Sequence, residues 1–155
     1  MPWDLPCAFT VEVEAGPEDV DHFGHVNNAV YLRWLETAAW AHSASVGLPP
    51  EVLAGELRRG MAVRRSEVDY LRAAYAGDRL SIGTWLVRAD RLRALRRFQI
   101  VRGGETLVRA DLDYVCINLD TGAPTRMPPA MSDAYRVAPE VAEALAAQRL
   151  GNPTR

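Results

Sequence analysis

A chain of 155 residues, of which 48% are hydrophobic, is long enough to form one ordinary domain around a real core. A formal net charge of −2 argues against a general binder of nucleic acids or membrane surfaces. No apolar run approaches the length of a bilayer span, and the first residues lack the basic-then-apolar order of a targeting segment. We therefore expect a single domain over residues 1–155, cytoplasmic, with neither nucleic acid nor membrane as a partner.

Residues 9–14 alternate between apolar and polar side chains, which predicts a half-buried strand. Gly16-Pro17 ends this strand and opens a loop. A long helix is predicted from about Asn28 to Val46, because Asn27 or Asn28 can act as its N-cap and Gly47 is placed to end it. The helix is apolar on most faces, which predicts burial within the domain.

After Gly60 the sequence is strand-like, and the pattern predicts four strands over residues 61–71, 80–87, 95–101 and 107–119. Gly103-Gly104 indicates a hairpin turn. Pro139 and Gly151 frame a short C-terminal helix. One strand, a buried helix and four antiparallel strands predict an α+β fold in which a sheet wraps around a helix.

The two cysteines, Cys7 and Cys116, are far apart and lack the partner spacing of a metal site. Both fall within apolar strand patterns. We therefore expect two buried, reduced thiols and no metal centre.

The stretch from Asp21 to Glu36 carries the chemistry. It places a carboxylate, a glycine, a histidine and two asparagines directly before the apolar helix. A helix N-terminus presents unpaired backbone N–H groups and a partial positive charge. A carboxylate held upstream on a loop with a glycine bend can face whatever those N–H groups polarise. This is the layout of an acyl-transfer site.

The same segment resembles the signature of hotdog-fold acyl-CoA thioesterases, in the 4-hydroxybenzoyl-CoA thioesterase-like branch: Asp, two residues, Gly, a short run, then Asn-x-x-Tyr-Leu-Arg-Trp-x-Glu. The resemblance covers about residues 7–135 and includes Gly47-Leu48-Pro49-Pro50, Val68-Asp69-Tyr70-Leu71-Arg72, Tyr75-Ala76-Gly77-Asp78-Arg79-Leu80 and Asp120-Thr121-Gly122-Ala123-Pro124. It implies a hotdog core of about five antiparallel strands around a central helix. It also implies thioester hydrolysis without metal or organic cofactor, in a homodimer or a dimer of dimers whose sites combine both subunits.

Asp21 is the candidate for the attacking or proton-accepting group. Its carboxylate can attack the thioester to form a mixed anhydride, or it can deprotonate a water molecule, and the residues leave both open. A solvated turn aspartate is the alternative, but the resemblance places Asp21 at the family's loop aspartate. Backbone N–H groups near Asn28 are candidate oxyanion donors. Gly24 would let the loop bend and its backbone approach the thioester.

The other candidates in the motif each have a structural alternative. His25 can assist proton transfer or only hydrogen-bond the loop. Asn27 can orient water or the substrate carbonyl, or serve as an N-cap. Tyr31 is a candidate substrate contact or a core aromatic. Glu36 is a rival carboxylate, which we expect instead to pair with Arg33 three residues earlier.

Arginines at positions 88, 91, 93, 96 and 97 crowd the predicted turn between two strands. The resemblance implies that CoA phosphates bind near this turn, and Arg91 matches one of the family's basic positions. Asp90 and Leu92 depart from the family pattern, which leaves room for an acyl carrier protein as the thiol donor. A strand edge guarded by charge is the structural alternative.

The residues and the resemblance together predict a thioesterase that most favours acyl-CoA. The alternative enzyme is an acyl-carrier-protein thioesterase that releases a fatty or polyketide acyl chain. A non-catalytic acyl-thioester binding domain on the same fold is a third reading, because fold does not fix function.

Overall fold

A five-stranded antiparallel sheet packs around one long helix in the computed structural model, which describes residues 2–152. The ends of the predicted domain, residues 1 and 153–155, lie outside the described residues. The strands are β1 (Phe9–Glu14), β2 (Arg59–Tyr70), β3 (Arg79–Ala89), β4 (Arg93–Arg102) and β5 (Glu105–Asn118), and the helices are α1 (Asn28–Ser45), α2 (Pro129–Ser132) and α3 (Pro139–Gly151). Short turns of 3₁₀ helix (Pro17–Asp19) and π-helix (Glu51–Glu56) complete the elements. The strand order is β1-β3-β4-β5-β2, so the predicted α+β hotdog architecture is confirmed.

The core lies between α1 and the concave face of the sheet. Leu35 and Ala38 of α1 are fully buried, and they belong to one cluster with Ile82, Phe98 and Ile100 from the middle strands. The apolar residues recur every three or four positions on α1 and every second position on the strands, so one stripe of the helix meets one face of the sheet. This packing determines where the first turn of α1 lies.

The expectation that α1 is buried nearly all round is wrong for this chain. Between the two ends of the helix, the exposed side chains are Leu32, Arg33, Glu36, Thr37, Trp40 and Ala44. The sheet covers only one side of the helix, and part of the other side borders a cavity. The apolar residues on that side, such as Leu32 and Trp40, therefore remain 39% and 44% exposed.

The two cysteines differ from each other. Cys116 is buried in β5, as predicted, and burial raises the pKa of its thiol. Cys7 is exposed and precedes β1 with a positive φ of 57°, so the prediction of a buried strand residue is wrong there. Both thiols are free.

Strand β2 lies at the edge of the sheet and is its most exposed strand. It pairs with β5 on one side, and Arg64 has no opposite residue because the register shifts between Val63 and Arg65. Such a bulge bends the strand and strengthens its twist. The other edge, β1, has only six residues, whereas β2 has twelve.

The helix start offers a matched pair of substitutions. Asn27 Oδ1 accepts the N–H of Ala29 at 3.0 Å, whereas no side-chain hydrogen bond of Asn28 is present within residues 2–152. We expect Asn27→Ala to lower the free energy of unfolding by about 1 kcal/mol, because a cap is lost. Asn28→Ala should change it by less than about 0.5 kcal/mol. Urea denaturation of both variants measures this, and equal losses would contradict Asn27 as the cap.

Candidate active site

The loop before α1 forms a closed hairpin-like turn. Val20 and Val26 make an antiparallel bridge, and the N–H of Asp21 donates to the carbonyl of His25 at 2.8 Å. Gly24 adopts a φ of +79°, and its N–H donates to the carbonyl of Asp21 at 3.1 Å. A side chain at Gly24 would strain this left-handed backbone, which agrees with the predicted bend.

A buried carboxylate that the sequence analysis overlooked holds the two ends of this loop. Asp19 is 6% exposed; its Oδ2 accepts the N–H of Gly16 at 2.9 Å, and its Oδ1 accepts Arg33 Nη2 at 2.9 Å. Its carbonyl accepts the N–H of Asn27 at 2.8 Å. Asp19 therefore links the end of β1, the loop and α1. The predicted pairing of Arg33 with Glu36 is wrong, because Arg33 reaches back to this carboxylate.

The Asp21 carboxylate has one oxygen engaged and one available. Oδ1 accepts the N–H of Phe23 at 2.8 Å, whereas Oδ2 has no hydrogen bond within residues 2–152. The residue is half-buried, and Phe23 beside it is 85% exposed. The turn therefore orients the carboxylate and leaves one oxygen free to act on a ligand.

The first N–H group of α1 also lacks a partner among residues 2–152. The N–H groups of Ala29 and Val30 donate to Asn27, through its Oδ1 and its carbonyl. No acceptor for the N–H of Asn28 is present in the part of the chain that the structure describes. This group lies at the positive end of the helix dipole, so it can donate to an oxygen that gains negative charge.

The segment between β2 and β3 holds the loop in place, and it contacts two of the predicted site residues. The carbonyl of Ala74 accepts the N–H of Val26, and the N–H of Ala74 donates to the hydroxyl of Tyr31, both at 2.9 Å. Tyr31 is 2% exposed, and burial raises its pKa. The exposed ring of His25 packs edge-on against Tyr75, with the centroids 5.3 Å apart. The buried Tyr31 thus holds the segment by a hydrogen bond from inside the core. Substrate contact by Tyr31 or His25 stays a prediction.

A cavity of about 350 Å³ runs along the open side of α1. Its mouth includes Leu32, which lies one helical turn after Asn28, and the exposed side chains of Glu36, Val63 and Ser66. Most of its inner wall is apolar, with Leu53, Met61, Leu86, Ala94 and Leu112. A cavity of this size is at the small end of the range for ligand sites. Because Leu32 at its mouth lies one helical turn after Asn28, the cavity can receive a group attached to a carbonyl at the start of α1.

The turn between β3 and β4 carries fewer arginines than the sequence predicted. Arg96 is 4% exposed and lines the cavity, and Arg97 forms a bidentate ion pair with Asp111 at 2.8 and 3.0 Å. Both lie within β4, where successive side chains point to opposite faces of the sheet. They are therefore not on the turn with Arg91.

Arg91 is exposed on the turn between β3 and β4, at the opposite end of the sheet from the Asp21 loop. Asp90 Oδ1 shapes this turn by accepting the N–H groups of Leu92 and Arg93 at 2.7 and 2.8 Å. The Asp21 loop adjoins the start of β3, where Glu14 is opposite Arg79. The eleven residues of β3 separate the two by roughly 35 Å. One chain does not bring Arg91 to its own Asp21.

Within residues 2–152, no group of three or more His, Cys, Asp or Glu side chains is arranged to hold a metal ion. None of the helices described there combines the length and apolar character needed to span a bilayer.

Comparison with known proteins gives the family. The model of the thioesterase-like superfamily matches residues 15–135. A search among curated proteins returned no significant match. A probable thioesterase from Bartonella henselae is 26% identical, with a TM-score of 0.75 over 79% of this chain and 100% of that one.

Two further solved structures share the fold at lower identity. A DHNA-CoA thioesterase from Staphylococcus aureus has a TM-score of 0.77 at 22% identity, over 96% of this chain and 95% of that one. A 1,4-dihydroxy-2-naphthoyl-CoA thioesterase from Synechocystis has a TM-score of 0.75 at 22% identity, over 83% and 95%. The family match spans the Asp21 loop, α1 and every strand of the sheet except β1, and the chain belongs to the thioesterase-like superfamily of hotdog-fold enzymes.

Proposed function

We propose that this protein hydrolyses an acyl-CoA thioester to a free acid and CoA, with Asp21 and the N–H of Asn28 as the reacting groups. The observation that carries this proposal is that a carboxylate oxygen (Asp21 Oδ2) and a helix N-terminal N–H (Asn28), neither of which has a partner in the described residues, belong to the loop and helix start that precede Leu32 at the mouth of an apolar cavity. Two proteins of similar fold are named as CoA thioesterases, which supports CoA as the thiol.

The reaction needs stabilisation of negative charge on the carbonyl oxygen. That oxygen accepts the N–H of Asn28, and the helix dipole favours the charge that develops in the tetrahedral intermediate. Collapse of the intermediate breaks the C–S bond and releases the thiolate. The role of this N–H belongs to the backbone, so the Asn28 side chain can be changed without removing it.

Asp21 supplies the attacking oxygen in one of two ways. Its Oδ2 attacks the carbonyl carbon to form a mixed anhydride, which water then hydrolyses to regenerate the carboxylate, or it removes a proton from a water molecule that attacks directly. Both routes need the carboxylate ionised and aimed. The hydrogen bond from Phe23 and the anchoring of the loop by Asp19 hold it in position.

Asp21→Asn should lower kcat for thioester hydrolysis by about 10²- to 10⁴-fold, the contribution typical of an acid–base group, and by more if Asp21 is the nucleophile. The fold should remain, because the amide oxygen can still accept the N–H of Phe23. A steady-state assay of thiol release, with circular dichroism as the folding check, measures both.

Glu36→Gln is the matched control, because Glu36 is the rival carboxylate on α1 and is exposed at the cavity mouth. It should affect substrate affinity or stability more than kcat. Near-native turnover by a folded Asp21→Asn protein, together with loss in Glu36→Gln, would move the catalytic acid to Glu36.

We further propose that two copies associate through β2. No strand in the described part of the chain pairs with the outer edge of this twelve-residue strand, and Val63, Tyr70 and Leu71 along or just beyond it are 50%, 43% and 43% exposed. Long edge strands with apolar side chains tend to pair with another chain. A twofold axis would pair β2 antiparallel with its copy, and would bring the Arg91 turn of one chain to the same end of the joined sheet as the Asp21 loop of the other.

The wild-type protein should sediment at twice the chain mass of 17.1 kDa, or four times if dimers pair. Arg64→Pro should shift the mass toward 17.1 kDa, since proline disrupts pairing at an edge while the bulge residue has no opposite residue in β5. Arg64→Ala is the control and should assemble like wild type. A wild-type mass of 17.1 kDa at micromolar concentration with full activity would refute this association.

The thiol carrier can be tested at Arg91. If CoA is the donor, Arg91→Ala should raise KM for acyl-CoA more than it lowers kcat, because a contact far from the reacting carbonyl binds ground and transition states alike. The N-acetylcysteamine thioester of the same acyl group lacks the phosphates, so its kcat/KM should not change. Salt should weaken binding of acyl-CoA in parallel.

Arg149→Ala, at an exposed position in the last turn of α3, is the control for loss of a surface arginine. An acyl-carrier-protein thioesterase is the alternative function, favoured by Asp90 and Leu92 beside Arg91. In that case Arg91→Ala should impair hydrolysis of the carrier-protein thioester instead. Unchanged kinetics on both carriers would show that this turn is only a charged strand edge.

A further inference from the structure

The cavity contains a buried positive charge, Arg96, that forms no ion pair with any residue the structure describes. Within residues 2–152, Arg96 has one hydrogen bond, from Nη1 to His42 Nδ1 at 2.8 Å, and no carboxylate lies within ion-pair distance of its guanidinium. Burial lowers the pKa of Arg96, yet an arginine stays protonated in proteins. A charge buried without a counterion is costly, and proteins normally pair it.

His42 does not supply the missing charge. Burial, with the adjacent positive charge of Arg96, lowers the pKa of His42 to about 4, so its imidazole is neutral at neutral pH. The ring accepts one N–H of Arg96 and packs against Phe9, with the centroids 5.2 Å apart. It therefore orients the guanidinium without neutralising it.

Besides Ser66 at the mouth, three residues with hydroxyl groups line the cavity together with Arg96. Ser43 Oγ and the Tyr135 hydroxyl share a hydrogen bond of 2.8 Å, and Tyr114 lies on the neighbouring strand. Burial raises the pKa of both tyrosines, so they stay neutral hydroxyls that can donate. An apolar cavity with a guanidinium and hydroxyl donors at one place suits an anion on an otherwise apolar ligand.

This place is far from the proposed site of reaction. His42, which holds Arg96, lies fourteen residues after Asn28 on α1, or about 21 Å along the helix axis. Glu36, an acidic residue of the cavity wall, lies six residues before His42 and is exposed toward the mouth. An acyl group whose carbonyl binds the N–H of Asn28 would thus extend from the mouth toward Arg96.

We propose that the cavity binds the acyl group and that Arg96 selects acyl groups carrying a carboxylate at the end remote from the thioester, as in the monothioester of a long dicarboxylic acid. A carboxylate matches the planar donors of a guanidinium and supplies the missing counterion. This inference rests on the proposed thioesterase function and names its substrate class.

The test compares two series of acyl-CoA substrates that match in chain length, one ending in a carboxylate and one in a methyl group. At the length that reaches Arg96, wild-type kcat/KM should favour the carboxylate series by about 10- to 100-fold, the range expected for hydrogen bonds to a charged group. Equal kcat/KM values for both series at every length would overturn the inference without any variant.

Arg96→Met removes the charge and keeps an unbranched side chain of similar length. Replacement of buried charges by apolar residues of similar volume is often neutral or stabilising, so the variant should fold. It should lose the preference for the carboxylate series, so that kcat/KM for the two series becomes equal at every chain length. Arg97→Met changes the next arginine, which is on the other face of β4, and should keep the wild-type preference. A preference that survives in Arg96→Met would overturn the inference.

Binding of the free acids separates this inference from the proposed function, because it needs no turnover. Calorimetry should show that wild type binds the dicarboxylic acid more tightly than the methyl-ended acid, and that Arg96→Met abolishes the difference. This result in a protein that hydrolyses neither series would support Arg96 as an anion site and refute the thioesterase proposal. Equal binding of the two acids would refute the anion site even in an active thioesterase.

Discussion

The burial of one stripe of α1 against the concave face of the sheet determines the position of everything that follows. Leu35 and Ala38 lie fully buried among residues of the middle strands, and truncation of a buried leucine such as Leu35 to alanine typically costs about 2–5 kcal/mol. Because the helix is rigid, this packing places its first N–H group at one end of the sheet and His42 near the other. The open side of the same helix becomes a wall of the cavity.

The loop before α1 depends on that packing through polar contacts. Asp19 connects the end of β1 to Arg33 and Asn27, and Ala74 holds Val26 and Tyr31 from the opposite side. These hydrogen bonds satisfy backbone groups at the loop and at the helix start that would otherwise be left without partners. Among residues 2–152, Asp21 Oδ2 and the N–H of Asn28 have no partner, so both remain available to a ligand.

The cavity and the edge strand β2 bear on substrate specificity, because they share residues. Val63 and Ser66 belong both to the edge strand β2 and to the cavity mouth, so association through β2 would shape the entrance to the acyl site. At the deeper end, the positively charged Arg96 donates a hydrogen bond to the neutral imidazole of His42. Reaction and selection would then occur at separate places along one helix.

The sequence by itself determined the elements and the family. The local signals were the period-two alternation in β1 and β5, the asparagines before α1 and the glycine after it, and the paired glycines of the β4–β5 hairpin. The strands, helix ends and hairpin that these signals predict are present in the structure. The motif from Asp21 to Glu36 predicted the thioesterase family, which the family match confirms.

Tertiary structure decided which residues the charged side chains pair with. Arg33 pairs with Asp19 fourteen residues away and not with Glu36 on its own helix, and Arg96 and Arg97 separate because adjacent strand residues point to opposite faces. Arg91 lies a full strand from Asp21 for a related reason, because antiparallel topology sends the turn after β3 to the far end of the sheet. Such contacts depend on which segments the core brings together. Local sequence spacing does not determine which segments those are.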